Sequence, residues 1–219
     1  MNSIVRRSVV SVAGLMVTGV VTGGAVAGPA VAAQPAPNAG KPVAAPPAPP
    51  GGEGKRVLEH DYQRQPNGYY CAPAATRIAL STQGKVLSQK DVAEKLGTTK
   101  AGTDSADQTT QVLNEVTGGG YDTTKITEAR AKPEQVDKLR TDVIEAVDAK
   151  RGVVANTIGT GVDTGGDKHP FPGGHYVSVV GYRDGGDAMK VADPYDPKKH
   201  YWMDDEKLAD WIAERGYSS

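Results

Sequence analysis

Apolar residues recur every three to four positions along the first half of the chain, the spacing that one face of a helix requires. The segment after Cys71 predicts a helix that ends near Gly84, and Pro73 fits its first turn, where a missing N–H costs nothing. Short strands are predicted at residues 57–62 and 121–127. Three further helices are predicted, at residues 88–96, in TDSADQTTQVLNEVT, and at residues 133–151.

In the second half of the chain, apolar and polar residues alternate or short apolar runs occur, and these patterns predict strands. Asp184 to Asp187 have turn chemistry and predict a hairpin. Residues 159–174 are predicted to form a long glycine-rich loop beside a binding cleft. Strands are predicted at residues 153–158, 175–182, 188–193 and 201–203, before a last helix that Asp204 caps. Helices first and strands second favour an α+β fold, with a helical half packed on an antiparallel sheet.

The first 55 residues have no such pattern of a folded domain. In residues 1–33, Arg6 and Arg7 precede a short apolar core and two A-x-A sequences, as in a secretion signal. Glycines interrupt this core, which is shorter than the ~20 apolar residues of a membrane span, so a transmembrane anchor is the less favoured interpretation. Residues 34–55 are rich in Pro, Ala and Gly and predict a disordered tether. An exported domain without a stable membrane anchor is therefore expected at residues 56–219.

Charge and cysteine content narrow the classes of function. Removal of the signal leaves 23 of the 25 Lys and Arg residues against 26 Asp and Glu, a net charge of −3. No basic stripe stands out, so nucleic acid is not an expected partner. Cys71 is the only cysteine, which excludes a disulfide within the chain. It is a buried inert thiol, a site of pairing between chains, or a reactive nucleophile.

A reactive thiol needs a base and an orienting group, and the predicted elements supply both. Cys71 lies at the start of a helix, where the N-terminus favours a thiolate. His175 begins one strand of the predicted hairpin and Asp193 ends the other, so both fall near its open end. The imidazole can take the thiol proton while the carboxylate holds the ring. The backbone N–H of Cys71 and the amide of Gln65 are candidate donors to an oxyanion.

The motifs QRQPNGYYCAPAA, GGHYVSVVGY and VADPY resemble the papain-fold cysteine peptidases of family thirty-nine, which include domains that cut double-glycine leaders from bacteriocin precursors. The resemblance implies a papain-like α+β fold and no cofactor. It implies Cys71 as nucleophile, His175 as general base and acid, Asp193 as orienting group and Gln65 as oxyanion donor. Ala72 replaces the glycine that usually follows the nucleophile, and its β-carbon could narrow the approach to the thiol.

The expected function is that of a secreted, monomeric thiol peptidase that acts on a peptide or protein. A cell-wall peptide amidase or a transglutaminase-type acyl transferase would use the same groups. An alternative of another class is a non-catalytic binding module displayed at the cell surface on the same fold. No metal site is expected, because the four histidines match no known ligand spacing. Candidate substrate-binding residues are Tyr70, Gly174 and Phe171.

Overall fold

The computed structural model describes residues 54–219, so the predicted signal and nearly all of the predicted tether lie outside the described residues. Within this range no helix is both long enough and apolar enough to cross a membrane. The elements follow in the order β1 (Arg56–Val57), α1 (Cys71–Ser81), α2 (Gln89–Leu96), α3 (Ala106–Thr117), β2 (Thr123–Ile126), α4 (Pro133–Asp148), β3 (Val153–Val162), β4 (Lys168–Arg183), β5 (Ala188–Ala192), β6 (His200–Asp204), α5 (Asp205–Ile212) and β7 (Arg215–Ser218).

The strands form one antiparallel sheet in the order β2-β7-β3-β4-β5-β6. The long strand β4 lies near the centre and pairs with β3 and β5, while β1 pairs with the last part of β4. The predicted hairpin between β4 and β5 is confirmed, and a short 3-10 turn at Asp184–Gly186 joins its strands. A register shift after Val179 places Tyr182 opposite Met189.

Helices cover both faces of the sheet, and side chains of β3 alternate between them. Val153 and Ala155 belong to the cluster that α4 and α5 cover, whereas Val154 belongs to the cluster of α1, α2 and α3. This alternation is the ordinary period of a strand, and it makes β3 buried on both sides. The α+β fold with a papain-like arrangement is confirmed, but α4 lies on the face opposite to the first three helices.

Helix α1 packs very closely on the sheet because its inner face is made of alanine. Ala72, Ala75 and Ala79 have no exposed surface. The hydroxyl of Ser178 in β4 donates a hydrogen bond of 2.5 Å to the carbonyl of Ala75. A β-carbon at Gly152 would lie 2.9 Å from the Cα atom of Ala79, too near for any other residue. The small side chains therefore determine how near the start of α1 lies to β4.

The prediction of a glycine-rich loop at residues 159–174 was wrong, because most of these residues belong to the paired strands β3 and β4. The two strands pair as far as Val162 opposite Lys168, which leaves a turn of only residues 163–167. Gly161 explains the error, since a β-carbon there would lie 2.7 Å from the ring of Trp211. The glycine makes room for a packed indole inside a strand and does not mark a flexible loop.

Two other strands differ from the sequence prediction: one is shorter than predicted and one was not predicted. The strand predicted at residues 57–62 ends at Val57, and the chain then crosses towards the β5–β6 loop, where the hydroxyl of Tyr62 donates to the carbonyl of Asp193 at 3.0 Å. The strand β7 was not predicted. Its four residues pair with both β2 and β3. A segment this short has too few residues for a strand pattern to be recognised, and its pairing depends on distant strands.

Candidate active site

Cys71 is the first residue of α1 and is half-buried. The amide of Ala74 donates to the carbonyl of Tyr70, so helical bonding begins one turn into the helix. The N–H groups of Cys71 and Ala72 belong to the first turn and have no partner within the helix, while Pro73 has no N–H at all. These unpaired donors give the helix start a partial positive charge, which favours an anionic thiolate.

Ala72 does not obstruct the thiol. Its side chain is completely buried in the cluster formed by α1, α2 and α3, together with Ala75 and Leu113. The methyl group therefore points into the core while the thiol of Cys71 lies at the edge of the cleft. The alanine that departs from the usual family pattern fills space between helices and leaves the approach to the sulfur unchanged.

His175 and Asp193 meet at the open end of the β4–β5 hairpin. The Nε2–H group of His175 donates to Oδ1 of Asp193 at 2.8 Å, and both side chains are buried. This bond leaves Nδ1 as the ring nitrogen that is open to Cys71, whose thiol lines the same cleft as the imidazole. The structure thus brings thiol, imidazole and carboxylate together, and their catalytic roles stay a prediction.

The electrostatics of this series favour a charged imidazole. Burial alone would lower the pKa of His175, but its interactions with Asp193 and Cys71 outweigh burial and raise that pKa to about 9. An imidazolium beside a cysteine sulfur favours the thiolate form. The charge of His175 therefore suits the general acid of a thiol enzyme.

The Asp193 carboxylate is itself fixed on both oxygens. Oδ1 also accepts hydrogen bonds from the backbone N–H groups of Tyr195 and Asp196, at 2.9 and 3.2 Å. Oδ2 accepts a hydrogen bond of 2.8 Å from the hydroxyl of Tyr201. Burial tends to raise the pKa of Asp193, but the hydrogen bonds, first of all that from His175, lower it below its ordinary value. The carboxylate therefore stays ionised and rotationally locked beneath the imidazole.

Phe171 covers one face of the imidazole. Its ring is stacked on that of His175, with 3.8 Å between centroids and 12° between planes. The side chain is partly buried against the core beneath α4 and α5 and does not line the cleft. The substrate-binding role predicted for Phe171 is untested. The contact that the structure shows is one that holds the imidazole plane in place.

The other two candidate substrate-binding residues lie in different surroundings. Gly174 lines the cleft immediately before His175, with a φ of +95° that favours glycine. Tyr70 caps the start of α1 without lining the cleft, and its neighbour Tyr69 lines the cleft instead. The two tyrosine rings meet edge to face at 5.4 Å. Of the two tyrosines, Tyr69 is the one that lines the cleft, and the substrate-binding role of Tyr70 stays a prediction.

Gln65 is buried close to the loop that precedes α1. Its Nε2 donates to the carbonyl of Asn67 at 2.6 Å, and its backbone N–H donates to the carbonyl of Pro194 at 2.9 Å. A primary amide carries two N–H groups, so one donor remains after the bond to Asn67. The oxyanion role of Gln65 stays a prediction that this second donor permits.

The thiol opens into a cleft of about 430 Å³ between α1 and the sheet. Several of its residues were missed by sequence reasoning because they come from segments far apart in the chain. The one available signal was Asn156, a buried polar residue inside the apolar run VVANTI. The additional lining residues include Lys100, Thr103, Asp104, Asn156, Tyr176 and Arg215.

One group of side chains among residues 54–219 has a spacing that could suit a metal ion. Ligand atoms of His169, Asp193 and Asp196 lie within 4.8 Å of one another. These groups already have partners, since Nδ1 of His169 bonds to Oδ2 of Asp196 at 2.8 Å and Asp193 holds His175. The same side chains therefore take part in an internal hydrogen-bond network.

The α+β fold and the thiol–imidazole–carboxylate series define a papain-like cysteine peptidase. Residues 57–219 match the Peptidase_C39 like family, and the chain belongs to this family. A comparison with curated proteins found no significant match. The class and family predicted from the three sequence motifs are thereby confirmed.

Several solved structures resemble this chain at low sequence identity. A C39-like peptidase from Bacillus anthracis is 13% identical with a TM-score of 0.53, over 75% of this chain and 96% of that one. The peptidase domain of Streptococcus ComA, a bi-functional ABC transporter in a quorum-sensing pathway, is 16% identical with a TM-score of 0.49, over 73% and 96%. A double glycine motif protease from an AMS/PCAT transporter, in complex with a leader peptide, is 14% identical with a TM-score of 0.46, over 74% and 91%. At 13% identity the Bacillus anthracis structure shows the fold alone.

Proposed function

We propose that this protein is a secreted peptidase that hydrolyses a peptide bond through an acyl-enzyme on Cys71. The observation that carries the proposal is that Cys71 and His175 line one open cleft, with the imidazole of His175 hydrogen-bonded to the buried carboxylate of Asp193. Export is supported by the signal-like pattern of residues 1–33.

In the acylation step, the Cys71 thiolate attacks the scissile carbonyl carbon and a C–S bond forms. The carbonyl electron pair moves to oxygen, and the backbone N–H of Cys71 and the free N–H of Gln65 are the proposed donors to that oxyanion. Collapse of the intermediate breaks the C–N bond while the imidazolium of His175 protonates the departing amine.

In the deacylation step, neutral His175 accepts a proton from water as the water oxygen attacks the thioester carbon. The tetrahedral intermediate collapses, the C–S bond breaks, and the carboxylic acid product leaves. The thiolate and the imidazolium are regenerated together. Throughout the cycle Asp193 keeps its proton-free form and holds the imidazole plane, as its three additional hydrogen bonds require.

The direct test is the reactivity of the thiol. Cys71 should react with iodoacetamide at neutral pH about tenfold or more faster than free cysteine, because a helix N-terminus and a neighbouring imidazolium favour the reactive thiolate form of a cysteine. His175→Ala should slow the labelling to the rate of an ordinary thiol. His60→Ala is the matched control, since His60 bonds to Leu58 and His200 and does not line the cleft. If Cys71 reacts no faster than free cysteine, the proposed mechanism is wrong.

The same groups would serve a cell-wall peptide amidase or an acyl transferase, so the substrate must be tested separately. The protein should be incubated with casein, a peptide library and purified peptidoglycan, and new amino termini should be identified by mass spectrometry. Cleavage of casein or peptides supports the peptidase. New termini from peptidoglycan alone would replace it with the amidase.

A further inference from the structure

Two cations line the cleft, one from a loop between helices and one from the sheet. Lys100 lies in the tight loop between α2 and α3, where Thr99 and Gly102 exchange backbone hydrogen bonds of 3.0 Å. Arg215 is the first residue of β7 and lies beside Gly216, which pairs with Asn156 in β3. The helical wall and the sheet therefore each supply one positive side chain to the same cavity.

Neither cation has a carboxylate partner among residues 54–219. No carboxylate oxygen lies within 4.0 Å of Lys100 or Arg215 in that range, although most other arginines there form ion pairs. The guanidinium of Arg215 makes one long bond of 3.4 Å, to the carbonyl of Glu214. Its remaining donors are available to a ligand.

A buried hydrogen-bond network links the sheet to the α2–α3 loop beneath the cleft. Nδ2 of Asn156 donates to the hydroxyl of Tyr176 at 2.9 Å, and that hydroxyl donates to the carbonyl of Thr103 at 3.2 Å. Asn156 and Tyr176 are both buried at the bottom of the cleft. The network joins β3 and β4 to the loop that carries Lys100, so this end of the cleft is already shaped before a ligand binds.

The charge at this end favours an anion. Asp104 also lines the cleft, but it is exposed and forms no ion pair with Arg215. Two cations against one carboxylate leave an excess of one positive charge. A guanidinium with free donors can bind a carboxylate through two parallel N–H···O bonds, a geometry that an ammonium lacks.

We propose that Arg215, assisted by Lys100, forms a specificity subsite for an acidic side chain of the substrate peptide. The inference rests on the proposed function, because the peptide must lie in the cleft while Cys71 attacks it. Arg215 is then a specificity-determining residue that contacts a Glu or Asp away from the scissile bond. The protein prefers peptides with an acid at that one position over amide analogues of the same shape.

The test compares fluorogenic peptides in which Glu is replaced by Gln at one position at a time. At a single position, Glu should raise kcat/KM by about tenfold or more, the size of one charge-assisted contact. Arg215→Gln should remove that preference by lowering kcat/KM for the Glu peptide to about the value for the Gln peptide. Lys100→Gln should reduce the preference by about threefold, because Lys100 is exposed. Lys85→Gln, the same change of charge outside the cleft, should leave it intact.

A binding experiment separates failure of the subsite from failure of the catalytic proposal. Labelled Glu and Gln peptides are titrated into Cys71→Ala and followed by fluorescence anisotropy. Tighter binding of the Glu peptide that Arg215→Gln abolishes supports the subsite even if turnover is slow. Efficient cleavage with no preference for Glu at any position, together with equal affinities, overturns the subsite and leaves the peptidase proposal standing. A preference that survives in Arg215→Gln overturns it as well.

Discussion

Two buried histidines on strand β4 make almost the same contacts and have different uses. His175 and His169 are six residues apart and lie on the same side of the sheet, since the ring of Phe171 stacks on His175 and the rings of Phe171 and His169 both lie beside Trp211. Each donates a hydrogen bond of 2.8 Å to an aspartate of the segment after β5, Asp193 for the first and Asp196 for the second. Tyr201 serves both, since its hydroxyl bonds to Asp193 and its ring stacks on His169 at 3.8 Å.

The second ring nitrogen distinguishes them. That of His175 faces Cys71 at the edge of the cleft. That of His169 faces the carboxylate of Asp163 at 3.4 Å, and Lys198 holds that carboxylate at 2.9 Å. An imidazole–carboxylate pair is therefore a common structural device. Only the nearby thiol and the opening to solvent make one of the two pairs a candidate for catalysis.

The largest expected effect comes from exchanging each imidazole for an amide. His175→Gln should lower kcat by about 10²–10⁴-fold, the usual contribution of a general acid and base. His169→Gln should leave kcat within about tenfold and lower the melting temperature, because His169 and the neighbouring Asp163 are buried. Steady-state kinetics and thermal unfolding of both variants make the comparison.

The opposite pattern would contradict this division of roles. If His169→Gln lost as much kcat as His175→Gln while its melting temperature stayed unchanged, His169 would belong to the catalytic machinery. If His175→Gln kept most of its kcat, the second ring nitrogen would not be what distinguishes the two histidines.

The paired aspartates should differ in pH dependence. Because the pKa of His175 is raised to about 9, the imidazolium is present below that pH and is lost as pH rises through it. Activity should therefore fall on the alkaline side with a midpoint near pH 9. Asp193→Asn removes a group that raises this pKa, so the midpoint should move to lower pH and kcat should fall by about 10-fold or more.

Asp196→Asn is the matched control for this shift. It bonds to His169 and does not contact the imidazole of His175, so its alkaline midpoint should coincide with that of the unmodified protein. The measurement is the pH profile of kcat/KM for the three proteins. Equal midpoints in all of them would show that Asp193 does not set the charge of the catalytic imidazole.

The smallest expected effect concerns Lys198, which joins the β5–β6 loop to the β3–β4 turn through Asp163 and Asp167. Burial opposes ionisation of Asp163, but Lys198 and the backbone N–H groups of residues 165 and 167 lower its pKa to about 2. Lys198→Gln should lower the melting temperature by a few degrees at neutral pH, about the effect of one half-exposed pair. Activity should stay near normal.

The sign of this effect with pH can also be checked. Since the pKa of Asp163 is lowered, its stabilisation is complete above the ordinary value near 4 and is lost as pH falls towards 2. The difference in melting temperature between Lys198→Gln and the unmodified protein should therefore shrink in acid. A difference that grows as pH falls would mean that Lys198 acts through another group.

The parts of the fold that sequence reasoning predicted correctly depend on local patterns. The helix that begins at Cys71, the helical stripe after Pro133 and the β4–β5 hairpin all follow from spacing within about 20 residues. The errors involve distant partners. Gly161 looked like a loop residue because the ring that excludes its side chain is 50 positions away, and β7 depends on strands from elsewhere in the chain.

The candidate site divides in the same way. The sequence by itself was enough to predict that Cys71 lies at a helix start and that His175 and Asp193 lie close together, because one hairpin joins their strands. Only the tertiary structure decided that α1 packs on β4 closely enough for Cys71 to meet that imidazole, that Phe171 stacks on it, and that Lys100 and Arg215 face one cleft. The physical reason is that these contacts depend on packing between surfaces far apart in the chain, and periodicity records only which face a residue turns inward.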